Sequence, residues 1–166
     1  MTMKKTLISL LFAITLGLCS LSLVGCGGYD VTLPMGDGKI ENDSVIAEFH
    51  IDEEMTDGYF LNVTFKAESS ANLDRKFVFS ICDADPRFSK DYKESVLFSL
   101  DGSNLANGDL KAKIEMKPSE IFEETETKKT FHIVFREESS SLDVTNCNVS
   151  DFDYTYKNGK LCLAKD

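Results

Sequence analysis

From Ser44 onward the sequence alternates apolar and polar residues with a period of two, which limits most of the chain to half-buried strands. Val45, Ala47, Phe49 and Ile51 alternate with Ile46, Glu48 and His50. Tyr59, Leu61, Val63, Phe65 and Ala67 alternate with Phe60, Asn62, Thr64 and Lys66. The pattern continues through Phe77, Phe79 and Ile81, through Val96, Phe98 and Leu100, and through Leu110, Ala112, Ile114 and Met116. Phe131, Ile133 and Phe135 follow, then Leu142 and Val144, and finally Tyr154, Tyr156, Leu161 and Leu163. Polar, turn-forming stretches separate these runs at 52–58, 68–76, 101–109 and 137–141.

One turn is specific enough to fix a register. Asn158-Gly159 between alternating runs predicts a two-residue type I′ hairpin. That turn sets Tyr156 opposite Leu161 and Tyr154 opposite Leu163 on one face, with Thr155 and Cys162 on the other. Only Pro118-Ser119-Glu120-Ile121-Phe122-Glu123-Glu124-Thr125 departs from strand spacing, and its proline and nearby acids predict one or two helical turns. About nine short strands with little helix predict an all-β domain, an antiparallel β-sandwich, with a small up-and-down barrel as the alternative.

The first twenty-five residues follow another rule. Lys4 and Lys5 precede an uncharged apolar run from about Leu7 to Val24, the arrangement of a secretory signal. The run is long enough that an uncleaved membrane-spanning helix is the rival reading. Leu23-Val24-Gly25-Cys26 resembles the lipobox of bacterial lipoproteins. The resemblance covers residues 1 to about 27 and implies cleavage before Cys26 and a diacylglyceryl group on its sulfur. Two acyl chains give stable attachment, at about 0.8 kcal/mol per buried CH₂. The implied address is the extracytoplasmic face of a bacterial membrane, the plasma membrane of a Gram-positive-type cell.

The expected organisation is a signal peptide at 1–25, a flexible tether at 26–43 and a β domain at 44–166. The tether carries Gly27, Gly28, Gly36, Gly38 and Pro34, and fully extended it reaches at most about 60 Å. Loss of Lys4 and Lys5 takes the net charge from −10 to −12. Such acidity argues against nucleic acid as a partner and against contact with anionic head groups. It also keeps an exported domain soluble. Gly58–Ala67, followed by a polar loop and Lys76–Ile81, resembles a strand pair of the immunoglobulin-like domains of Gram-positive lipoproteins. The likeness spans about twenty-five residues, the chain has no Trp, and no functional residue is carried over from it.

Catalytic motifs are missing. His50 and His132 are the only histidines, and their places in the alternation predict a surface and a second-face residue. No metalloprotease helix motif, nucleophile elbow or phosphate-binding loop occurs, and no cofactor is expected. Asp83, Asp85, Asp91 and Glu94 fall at positions 1, 3, 9 and 12 of a calcium-loop spacing, but Phe88 stands where that loop needs glycine. Of five cysteines, Cys82, Cys147 and Cys162 remain once Cys19 leaves and Cys26 is lipidated. A Cys147–Cys162 disulfide is the pairing that neighbouring strands would allow. The functional expectation is a non-enzymatic binding module for a protein, glycan or small ligand, with contacts from loops 83–94 and 101–109. The alternatives are an envelope hydrolase using Asp83 and Asp85, and an accessory subunit of a transport or cell-wall system.

Overall fold

The computed structural model describes residues 36–139 and 147–164. The expected signal and lipobox, the first part of the tether and the Leu142–Val144 segment lie outside the described residues. Among the described residues ten strands form two antiparallel sheets. They are β1 (Asp37–Asn42), β2 (Val45–His50), β3 (Glu54–Thr56), β4 (Tyr59–Ala67) and β5 (Lys76–Cys82), then β6 (Glu94–Asp101), β7 (Leu110–Met116), β8 (Thr125–Glu137), β9 (Cys147–Lys157) and β10 (Lys160–Leu163). The first sheet runs β1-β2-β4-β7 and the second β3-β10-β9-β8-β5-β6. The protein is a β-sandwich.

Alternation places the core. Ala47, Phe49, Leu61, Val63 and Phe65 from the first sheet meet Phe77, Phe79, Phe131, Ile133 and Phe135 from the second, all nearly inaccessible. Phe79 crosses the interface, with ring centroids 5.5 Å from Phe49 and 6.1 Å from Phe65. Each such ring contributes roughly 1.5–3 kcal/mol through burial.

The Asn158-Gly159 hairpin forms as the sequence predicts. Both residues have positive φ, 52° and 72°, and Leu161 pairs with Tyr156 while Leu163 pairs with Tyr154. The helical segment is one turn, α1 (Pro118–Ile121), with proline in its first turn.

Four features depart from the sequence reading. The tether does not extend to residue 43, because Asp37–Asn42 is strand β1, joined to β2 by a two-residue turn at Asp43 and Ser44. Both turn residues have positive φ, 47° and 64°, a conformation that usually selects Asn or Gly. The edge of β1 is also held to the other sheet: the Asn148 side-chain amide donates to the Glu41 carbonyl, and that of Asn42 donates to the Phe135 carbonyl at 3.3 Å. Second, Glu54–Thr56, expected to be a turn, pairs with β10 as strand β3.

Third, β5 is buried on both faces from Phe77 to Cys82. Its Lys-Phe-Val-Phe-Ser-Ile-Cys run is the signature of a fully covered strand. Fourth, Val96 does not share the inward face of Phe98 and Leu100. Phe79 pairs with Phe98 but Ser80 with Val96, so Leu97 is the extra residue of a β-bulge. The bulge turns Val96 outward, where it is 55% exposed, and interrupts an edge strand that would otherwise invite pairing.

Candidate functional site

The loop 83–93 links β5 to β6 and folds back over the outer face of the second sheet. Its root is closed by two bonds: the Asp83 N–H donates to the Lys93 carbonyl at 3.3 Å, and the Lys93 N–H donates to the Asp83 carboxylate at 2.7 Å. Within it, the Asp85 carboxylate accepts from the Arg87 N–H at 2.8 Å. The Asp85 carbonyl accepts from the N–H groups of Phe88 and Ser89 at 3.1 and 2.9 Å. Aspartate before proline favours this turn, since its side chain replaces a missing backbone partner. Tyr92 packs with Cys82, Val134 and Val149 in a small apolar cluster under the loop. The loop therefore covers Cys82 on the second face of β5, where Ser80 bonds Glu94 of β6.

Four side chains brace the loop to the sheet. Arg87 grips Asp85 through Nε at 2.9 Å and Nη2 at 2.6 Å, and Nη2 reaches Asp151 of β9 at 3.6 Å. Asp151 also accepts from Nδ1 of His132 at 2.8 Å. His132 pairs across strands with both Cys82 and Asp151 and is only 8% exposed. It is the second-face residue the alternation predicts, covered by the loop. Arg87 holds the Asp85 carboxyl below the usual carboxylate range. Asp85 is thereby kept ionised, which suits a brace and removes it as a proton donor.

The calcium set does not assemble. Asp83 is engaged at the loop root, Asp85 by Arg87, and Glu94 by Ser80 at 2.7 Å and by Arg136 Nη2 at 3.0 Å. Asp85 meets His132 and Asp151 instead, with donor atoms of all three within 4.8 Å of one another. The Arg87 guanidinium already supplies the positive charge there, so the donor set does not fit a metal ion.

The Cys147–Cys162 disulfide is corrected as well. Cys162 is a free thiol and pairs with Thr155, eight residues along β9 from Cys147. At about 3.3 Å per residue that separation is roughly 26 Å, far beyond disulfide reach. His50 is exposed, as expected; its Nδ1 meets the Asp37 carboxylate and its Nε2 lies 3.5 Å from that of Asp52. In the 101–109 loop, Asp101 caps a short 3₁₀ turn, Gly102–Leu105, by accepting from the Ser103 N–H at 3.0 Å.

At the centre of the braced loop stands Phe88, 82% exposed. The Arg87 guanidinium carbon lies 5.5 Å from its ring centroid. Sequence reasoning singled out the loop but missed Arg87 and Asp151 as its brace. Nothing local signals that Asp151 meets a loop more than sixty residues earlier. Compared with protein-family models, curated proteins and solved structures, the chain matches none.

Proposed function

We propose that this chain is a lipid-anchored binding module on the extracytoplasmic face of a bacterial membrane, with Cys26 as the lipidated residue and loop 83–94 as its contact region. The observation that carries the binding part is Phe88. A large apolar side chain is held out to solvent on a loop that hydrogen bonds and ion pairs fix to a sheet. Exposed aromatics on rigid supports are the usual anchors of interfaces, because little entropy is lost when they are buried. The alternative use of Asp83 and Asp85 as hydrolytic carboxylates gains no support, since both are engaged in shaping the loop.

The test compares retention of the lipid-free domain, produced without residues 1–26, and of its Phe88→Ser variant on isolated envelopes of the producing cell. Loss of at least tenfold in retention, at unchanged thermal midpoint, is expected from an interface anchor worth about 2 kcal/mol or more. Equal retention overturns the assignment of the loop.

A further inference from the structure

We propose that a cavity of about 170 Å³ at one end of the sandwich, bordered by Tyr154 and Phe122, binds a small zwitterion of the free amino-acid class. This inference is independent of the anchor and of Phe88, and it rests first on the Tyr154 hydroxyl. Tyr154 of β9 faces the core, 5% exposed, with its ring centroid 4.9 Å from Phe122 and 5.6 Å from Phe131. Among the described residues its hydroxyl has no hydrogen-bond partner, yet no fully enclosed side-chain oxygen is left unsatisfied. The hydroxyl is therefore reached by solvent, and the Tyr154 side chain lines the cavity. A phenol whose ring is buried while its hydroxyl stays accessible and free of protein partners is an open half of a recognition contact.

The rim supplies charge of both signs. Asp83 and Lys93 come from the root of loop 83–93, Glu123 from just beyond α1, and Lys129 from β8, directly opposite Tyr154 in the β8–β9 register. Among the described residues none of these four forms an ion pair, and the Asp83 carboxylate, which accepts from the Lys93 N–H at 2.7 Å, keeps its charge. Burial, and then the charges of Asp83 and Glu123, raise the Tyr154 hydroxyl pKa, so the phenol stays protonated as a donor.

Two lysines and two acids lining one cavity with the Tyr154 side chain match a ligand that carries both charges close together. A simple anion would meet two carboxylates, and a simple cation two ammonium groups. At about 30 Å³ per water the volume of about 170 Å³ equals that of about six waters, which suits an amino-acid skeleton with a small side chain. The Phe122 ring offers that side chain an apolar wall.

Calorimetric titration of the full chain with L-alanine, L-serine, L-glutamate and L-lysine tests this, with acetate and methylamine as single-charge controls. At least one amino acid is expected to bind saturably in the millimolar range or better, at least tenfold tighter than either control. Tyr154→Phe keeps the packing and should weaken binding about threefold to tenfold, and Lys129→Gln, on an exposed side chain, about tenfold or more. Absence of saturable binding, equal binding of acetate, or wild-type affinity in both cavity variants overturns the proposal. If Tyr154→Phe disturbs folding, Lys129→Gln alone decides.

Discussion

Gly38 provides a sharp test of where the domain begins. It lies in β1, where the sequence pattern alone reads a flexible tether, and it pairs with Phe49 of β2. Its φ is not positive, so alanine costs nothing in backbone conformation. A Cβ there would stand 2.0 Å from Phe49 Cζ and 2.3 Å from Cε2. Carbon atoms in contact settle at about 3.5–4.0 Å, so the ring would have to withdraw by about 1.5 Å. It has little room, because Phe79 and Phe152 have centroids at 5.5 and 6.1 Å. Overpacking of this kind costs roughly 1–3 kcal/mol. Entropy loss in the unfolded chain returns about 0.4–1 kcal/mol of that. Gly38→Ala should therefore destabilise by about 1–2 kcal/mol, read as a fall of about 4–8 °C in thermal midpoint or as a lower urea midpoint at unchanged slope.

Combining it with Phe49→Leu should show a favourable coupling of about 1 kcal/mol, since the smaller side chain relieves the clash. Gly58→Ala is the contrast. It has φ of +81° and nothing within 4 Å of its new Cβ, so its cost of about 1 kcal/mol is all backbone and insensitive to Phe49. An unchanged or raised midpoint for Gly38→Ala would refute the placement of β1 against Phe49.

Other outcomes follow from the braced loop and the thiols. Arg87→Gln should raise amide hydrogen exchange across 84–92 by about tenfold or more while barely moving the global midpoint, as expected when a local closure is lost; unchanged exchange would mean that the ion pairs do not hold the loop. Asp85, Glu137 and Asp153 have lowered carboxyl pKa values, caused first by Arg87, Arg75 and Lys128 respectively. A lowered folded value contributes in full above the unfolded value, about 4, and is lost as pH falls through the folded one. Stability should thus be flat with respect to these groups from neutral pH to about 5 and decline below about 4, and less steeply in Arg87→Gln; an equal slope in the variant would contradict the Asp85 assignment. Cys162 should be alkylated in the unfolded chain without reductant, and protection until reduction would restore a disulfide.

Much of the fold is legible because alternation is a local consequence of the pleat. Leu110 to Met116 shows its lysines and its apolar set on opposite faces, as written in the sequence. The Asn158-Gly159 turn carries its register in two residues. What stayed hidden depends on contacts between distant segments. Strand β1 was obscured because Asp43-Ser44 makes a positive-φ turn without glycine, while Gly36 and Gly38 read as linker. The bulge at Leu97 shifts the alternation by one residue, and a run of Val-Leu-Phe fits either register.

The site divides in the same way. Loop 83–94 was recognisable by its polarity, and Asp85-Pro86 by its turn chemistry. Its partners Asp151 and His132 come from strands whose outward residues carry no local mark of what covers them. The cavity at Tyr154 was hidden for the converse reason. Tyr154 was placed correctly on the inner face, but the lack of a partner for its hydroxyl depends on where β8, α1 and the loop root stop. That is a property of packing at the end of a sandwich, which period-two spacing does not encode.

The reading of the whole chain turns on Cys26, and the intact mass of the protein extracted from membranes of the producing cell tests it most directly. The account predicts a polypeptide running from Cys26 to Asp166 with a diacylglyceryl group on the cysteine. A mass for the chain from Met1 with an unmodified Cys26 would contradict it and leave the apolar run as an uncleaved anchor.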